Sequence, residues 1–222
     1  MRSKPNAARS AIFWIWTVVL VLGIALLAVC DAAMLDLARA RKVQDYRWHL
    51  NRSGIFLSEG NIAEAKAALD QALVLAPQMS ETHVMEGHFY YHVEQWEKAI
   101  EAYAVARDLG SRDPGAFQNA VWALIRLGRY DAAATVGNQA LDAGLDSLVL
   151  RRYLGEACFR AKDWPCAVRH LAVALESSPG DLYLMDHLRE SCQQSGDTGR
   201  AKAMKDAIND AEARFGFNLG GT

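Results

Sequence analysis

An alanine returns at a constant spacing of 34 residues along most of this chain. One series is formed by Ala65, Ala99, Ala133, Ala167 and Ala201. A second is formed by Ala72, Ala106, Ala140 and Ala174. A fixed period of this length is typical of solenoids, in which helix pairs that cannot bury their own faces stack on one another. The spacing divides the chain into five blocks, 46–79, 80–113, 114–147, 148–181 and 182–215.

Other residues also keep their places within the blocks. They are the small Gly87 and Gly155 in the first run, the aromatic Trp96, Tyr130 and Trp164 opening the second run, and Pro77 and Pro179 closing two blocks. Together with the alanines, this pattern resembles the tetratricopeptide repeat (TPR) family, whose unit has 34 residues. The resemblance implies an all-α protein, with a right-handed α-solenoid of about five helix-turn-helix units over 46–215. It also implies a concave groove lined by the first helices.

Some positions depart from the family pattern. Val121 and Arg189 replace the small residue of the first helix, which puts a tight helix crossing in doubt in the third and fifth units. Gly137 stands where a large residue is expected. We therefore expect the third unit to pack loosely or to curve differently from its neighbours.

A second feature, a long apolar stretch, lies near the amino terminus. Ala11–Cys30 contains 20 residues without a charge, which as a helix would be ~30 Å long and match a bilayer core. We assign 1–10 as a basic tail and 11–34 as a transmembrane signal anchor, with Trp14 and Trp16 at the interface. A cleaved signal peptide is one alternative. A lipoprotein signal ending at Cys30 is another.

The charges around this stretch bear on orientation and location. Arg2, Lys4 and Arg9 precede the stretch and favour a cytoplasmic amino terminus. The basic residues that follow, Arg39, Arg41, Lys42 and Arg47, argue the other way. We predict a single-pass protein of a bacterial inner membrane with a periplasmic solenoid. The alternative resembles mitochondrial outer-membrane receptors, whose repeats lie in the cytosol.

The two ends of the solenoid are predicted from local composition. Residues 35–45 lack glycine and proline, so we expect a helical connector that continues the anchor into the first repeat. A short flexible linker is the alternative. The glycine-rich tail 216–222 is predicted to fray.

The resemblance to the TPR family also implies which side chains face a partner. The expected partner-binding residues are His88, Tyr91, His92, Gln118, Trp122, Arg126, Arg152, Glu156, Phe159 and Arg160. Aromatic residues and arginines are enriched at binding hot spots, and Arg126, Arg152 and Arg160 together could hold a carboxylate. The alternative is an ordinary solvated helix face. We expect a protein partner, bound as a peptide or a helix.

The histidines and cysteines of this chain are candidates for binding a metal or forming a disulfide. His88 and His92 are four residues apart, but no third ligand is evident, so no metal or other cofactor is predicted. Cys158 and Cys166 fall on the two helices of the fourth unit. In an oxidising periplasm they could form a disulfide, and in a reducing compartment they would be small core residues.

Composition argues against several classes of function. The net charge is −2 and the sequence pI is about 6.3, so no basic surface indicates nucleic-acid binding. The phosphate-binding, dinucleotide-binding, metalloprotease and serine-hydrolase motifs are missing, so we do not expect an enzyme. We predict a membrane-anchored scaffold or adaptor in the assembly of a cell-envelope complex. The rival is a structural accessory subunit of a membrane enzyme.

Overall fold

The computed structural model describes residues 7–215, and at 7–15, 17–19, 212, 214 and 215 it describes the backbone alone. The tail 216–222, predicted to fray, and the first six residues lie outside this range. The described chain forms ten helices and no strand. The bounds are α1 (Ala7–Ser58), α2 (Ile62–Leu75), α3 (Ser80–His92), α4 (Trp96–Asp108), α5 (Pro114–Arg126), α6 (Tyr130–Asp142), α7 (Leu148–Arg160), α8 (Trp164–Ser177), α9 (Leu182–Ser195) and α10 (Thr198–Phe215). The predicted all-α class is confirmed.

The helices pack as five consecutive pairs. Each odd-numbered helix packs against the even-numbered helix that follows it, and successive pairs stack. Neighbouring odd helices, such as α5 and α7, also touch each other, whereas no two even helices do among the described residues. The odd helices therefore line the inner, concave side of a curved solenoid. The predicted TPR-like solenoid is confirmed.

Helix α1 differs from the others in its length of 52 residues. Its described side chains before Tyr46 are all exposed. Tyr46 is 3% exposed, and its hydroxyl group donates a 2.9 Å hydrogen bond to Glu81 in α3. Within the described part, α1 carries one stretch that is long and apolar enough to cross a membrane. The helix thus leaves the solenoid at Tyr46 and continues outward without a break.

The turn inside each pair uses a left-handed backbone conformation at one repeated position. Gly60, Gly128 and Gly196 have φ values of 77°, 70° and 86°. The even units place Glu94 and Lys162 there, with φ values of 58° and 62°. Glycine adopts this conformation without a steric cost, while a residue with a Cβ is strained in it.

The core is built from the alanine series and larger side chains that fill the space between helices. All five alanines of the first series are at most 8% exposed. A Cβ on Gly137 would lie 2.7 Å from Cγ of Leu154, which is itself fully buried. The third unit therefore does not pack loosely at Gly137, because Leu154 of the next unit occupies the space.

Candidate binding groove

The concave side holds a cavity of about 660 Å³ between helices α5, α7 and α9, which we name the central groove. Its lining residues are Trp122, Ile125, Arg126, Tyr130, Val149, Arg152, Tyr153, Glu156, Arg160, Tyr183 and Leu184. Five predicted partner-binding residues are among them, namely Trp122, Arg126, Arg152, Glu156 and Arg160. The 34-residue period thus brings residues from three successive units to one surface.

One part of the groove is aromatic and carries a cation. The rings of Trp122 and Tyr153 lie 5.0 Å apart between centroids and are tilted by 31°. The guanidinium group of Arg126 lies 5.3 Å from the ring centroid of Trp96, a distance at which a cation is attracted to the aromatic face. Arg126 is exposed and has no acidic partner among the described residues. This part can accept an apolar side chain beside a carboxylate.

The other part of the groove is organised around the buried carboxylate of Glu156. This side chain accepts a 2.5 Å hydrogen bond from the Tyr183 hydroxyl group and a 2.8 Å hydrogen bond from Nε of Arg160. His187 Nε2 lies 3.6 Å from the same carboxylate. Burial, and then the bond to Glu156, raise the pKa of Tyr183 to about 12. Glu156 also raises the pKa of Arg160.

The arginines predicted to hold a carboxylate differ in how they are paired. Arg152 lies 3.2 Å from Asp181 at the start of α9, and Arg160 is bound by Glu156. Both positive charges are therefore balanced within the protein. A ligand carboxylate that approached them would compete with these acids, so Arg126 is the most available of the three.

The remaining predicted site residues lie outside the central groove. His88 contacts Tyr103 edge to face at 5.6 Å, and burial lowers its pKa, opposed by Asp113. Tyr91 packs on Trp96 at 5.4 Å, and burial raises its pKa. The remaining three are His92, which is exposed, Gln118, which donates to Ser147 Oγ at 3.0 Å, and Phe159, which packs on His187 at 4.2 Å.

The sequence prediction missed three residues at this site: Tyr153 and Tyr183, which line the groove, and His187, which contacts Tyr183 and Glu156 beside it. The ring centroids of Tyr183 and His187 are 3.9 Å apart, and Tyr153 stacks on Trp122. His187 follows Tyr153 by one period of 34, and Tyr183 follows Val149 by the same step. The predicted set lacked these two repeat positions and stopped at the fourth unit. Including both positions, and extending the set to the fifth unit, would have identified Tyr153, Tyr183 and His187.

The two cysteines of the fourth unit are brought together where α7 packs against α8. Cys158 and Cys166 are joined by a disulfide, with their Cα atoms 5.7 Å apart. A ring nitrogen of His170 lies within 4.8 Å of both sulfur atoms. Cys30 and Cys192 are not bonded.

Comparisons with known proteins agree on the fold. Solved structures that resemble this chain include YrrB, described as a TPR protein with an unusual peptide-binding site, at 18% identity and a TM-score of 0.67, over 75% of this chain and 86% of that one. MamA from Desulfovibrio magneticus RS-1 is 16% identical with a TM-score of 0.65, over 77% and 97%. PilW, a type IV pilus biogenesis factor, is 17% identical with a TM-score of 0.59, over 76% and 78%. No curated protein matches the chain significantly.

A sequence-family comparison identifies the repeats themselves. The tetratricopeptide repeat family model matches residues 55–117, 84–144 and 119–181, which together cover more than half of the chain. The fold is that of a protein-interaction scaffold. This chain belongs to the tetratricopeptide repeat family.

Proposed function

We propose that this protein is a membrane-anchored TPR adaptor whose central groove binds a peptide segment of a partner protein. The observation that carries the proposal is the pairing of the Trp122–Tyr153 stack with the unpaired cation of Arg126. An apolar side chain of the ligand would lie on the two rings, and a nearby carboxylate would bind Arg126. Aromatic and arginine side chains together supply much of the energy at protein interfaces.

The solenoid supports this role because its groove is formed before a ligand arrives. All groove residues except Tyr130 of α6 lie on helices α5, α7 and α9, which are held by contacts with their even-numbered partners. The ligand segment then loses conformational entropy on binding, while the preformed groove loses little. The similarity to YrrB, a TPR protein with a peptide-binding site, is consistent with a peptide ligand.

A peptide library displayed on phage tests the groove directly. The full chain in detergent should select peptides that carry a carboxylate close to an aromatic or aliphatic residue. Trp122→Ala and Arg126→Ala should each lower the affinity for the selected peptides by about 10-fold or more. Val74→Ser is the matched control, because Val74 is 77% exposed on α2, away from the groove. Selection of the same peptides by the groove variants would contradict the proposal.

The location of the adaptor is the second part of the proposal. The apolar stretch of α1 would span a bacterial inner membrane, and the solenoid would lie in the periplasm, where it would serve assembly of a cell-envelope complex. The basic residues Arg2, Lys4 and Arg9 support this orientation. A periplasm-dependent reporter enzyme fused after Thr222 should be active. Activity of a cytoplasm-dependent reporter alone would favour the cytosolic alternative.

An accessory subunit of a larger membrane enzyme is the second candidate function. A shallow apolar cavity on α1 is lined by Trp16, Leu20, Gly23, Ile24 and Leu27. Small residues such as Gly23 let transmembrane helices approach closely, so this face could pack on a neighbouring subunit. Mild detergent extraction followed by gel filtration separates the two functions. The adaptor should elute as a free protein, and the subunit within a complex of constant size.

A further inference from the structure

The disulfide between Cys158 and Cys166 joins a buried residue to a partly exposed one. Cys158 in α7 is 1% exposed, whereas Cys166 is partly exposed as the third residue of α8. Thiol–disulfide exchange needs access to the sulfur that is attacked. Cys166 is therefore the more accessible of the two to an incoming thiolate, and Cys158 is then the sulfur that leaves.

The position of Cys166 in the first turn of α8 favours a thiolate there. The unpaired N–H groups of a helix amino terminus carry partial positive charge, which stabilises a thiolate. The nearby carboxylate of Asp163 accepts the Cys166 N–H at 3.1 Å and opposes this effect. The helix terminus alone does not make a reactive site, so a further group has to act on the sulfur atoms.

That group is His170, one turn further along α8. This residue is 2% exposed, and one of its ring nitrogens lies within 4.8 Å of both sulfur atoms. Nη1 of Arg151 lies 3.1 Å from Nδ1 of the ring. Arginine can only donate a hydrogen bond, so Nδ1 accepts and the ring proton stands on Nε2. Asp146 fixes Arg151 through bonds of 2.8 and 2.6 Å.

Nε2 of His170 is buried and has no hydrogen-bond partner. Burial, and then the charges of Arg151 and Arg169, lower the pKa of the ring to about 4, against smaller opposing effects of Asp146 and Asp163. The ring is therefore neutral at neutral pH and carries an unpaired N–H donor, and one of its nitrogens lies within 4.8 Å of both sulfur atoms. An unpaired buried donor is costly, and a thiolate released from the disulfide would supply the acceptor.

The same three side chains are less suited to a metal ion. Two sulfurs and a ring nitrogen within 4.8 Å are a possible ligand set, but a neutral imidazole has a single lone pair for a ligand. Arg151 already uses that lone pair at Nδ1. A metal would have to displace Arg151 from a position that Asp146 holds.

We propose that Cys158–Cys166 is a thiol–disulfide exchange site whose co-substrate is a dithiol, with His170 stabilising the leaving thiolate. The first thiolate of the dithiol attacks Sγ of Cys166, a mixed disulfide forms, and Cys158 leaves with the electron pair of the broken bond. The second thiol of the dithiol loses its proton and attacks the dithiol's own sulfur in the mixed disulfide, and Cys166 leaves. The dithiol is oxidised by two electrons, both cysteines are reduced, and its two protons pass to the new thiolates or to water.

The experiment uses the full chain, purified in detergent without reductant and treated with a small dithiol under native conditions. Mass spectrometry of alkylated peptides should show Cys158 and Cys166 bonded at the start and both free after treatment, with helical circular dichroism retained. His170→Leu should slow opening about 10-fold or more, because it removes a hydrogen bond to a charged leaving group. His170→Gln, which keeps a donor, should recover part of the rate.

A second measurement separates this role from packing. The ultraviolet absorbance of the reduced protein should show a thiolate that persists to lower pH in the native chain than in His170→Leu. The proposal is overturned if the bond opens only after denaturation, if both cysteines are isolated as free thiols that do not oxidise, or if His170→Leu opens at the native rate.

Discussion

Leu154 in α7 fills the space that a side chain at Gly137 in α6 would need. A Cβ at position 137 would lie 2.7 Å from Cγ of Leu154, far inside ordinary contact distance. The two residues belong to successive repeat units, so a missing side chain in one unit is compensated by a large one in the next. This contact replaces the loose packing that the sequence led us to expect.

Gly137→Ala should therefore destabilise the solenoid, although alanine is the better helix former. Overpacking of this kind costs about 1–3 kcal/mol. Gly54→Ala is the matched control: its Cβ would meet Cε of Met85 at an ordinary 3.6 Å, and the helix propensity of alanine should add about 0.5–1 kcal/mol. Urea unfolding followed by circular dichroism measures both, and equal effects at the two sites would refute the packing argument.

Sequence reasoning succeeded where a property repeats and failed where it depends on a neighbour. The alanine series predicted the helix pairs, and the resemblance to the TPR family implied the concave side, because a position in the repeat determines the face on which a residue lies. The same period could not show that Leu154 compensates Gly137, or that Arg152 is balanced by Asp181. Those contacts depend on side-chain reach between units, which the repeat register does not encode.

Tyr183→Phe should weaken the link between the fourth and fifth units. The variant removes the donor of the 2.5 Å hydrogen bond to Glu156, whose side chain is 11% exposed. A buried carboxylate that loses a partner costs about 1–3 kcal/mol. Tyr130→Phe, at a partly exposed tyrosine of the same groove, is the control and should change stability by less than about 0.5 kcal/mol. Thermal unfolding compares the two, and a silent Tyr183→Phe would show that Arg160 alone satisfies Glu156.

Glu94→Gly should stabilise the protein. Glu94 has a φ of 58° in the turn between α3 and α4, a conformation that costs a residue with a Cβ about 1–2 kcal/mol. Part of this gain in stability is lost because glycine raises the conformational entropy of the unfolded chain. The reverse change at the equivalent turn, Gly128→Ala, should destabilise. Chemical unfolding midpoints test the pair, and a lower midpoint for Glu94→Gly would contradict the prediction.

Acid should destabilise the fourth unit through His170. The folded pKa of about 4 lies below the unfolded value of about 6.5, so the unfolded chain takes up a proton that the folded chain refuses. The stability contribution is present above pH ~6.5 and is lost as the pH falls from there through the folded pKa, by at most about 3 kcal/mol. His170→Leu should lack this component. Unfolding free energies measured across that window give the difference, and parallel curves for the two proteins would exclude it.

The unbroken course of α1 has a consequence for the direction in which the groove points. A helix of 52 residues is about 78 Å long and turns by about 100° per residue. For a chain anchored as proposed, removing one residue between 31 and 45 would swing the groove about the helix axis by that angle. Removing seven would nearly restore its bearing while drawing it about 10 Å closer to the lipid. The number of residues in the exposed part of α1 thus determines the direction in which the groove faces around the helix axis.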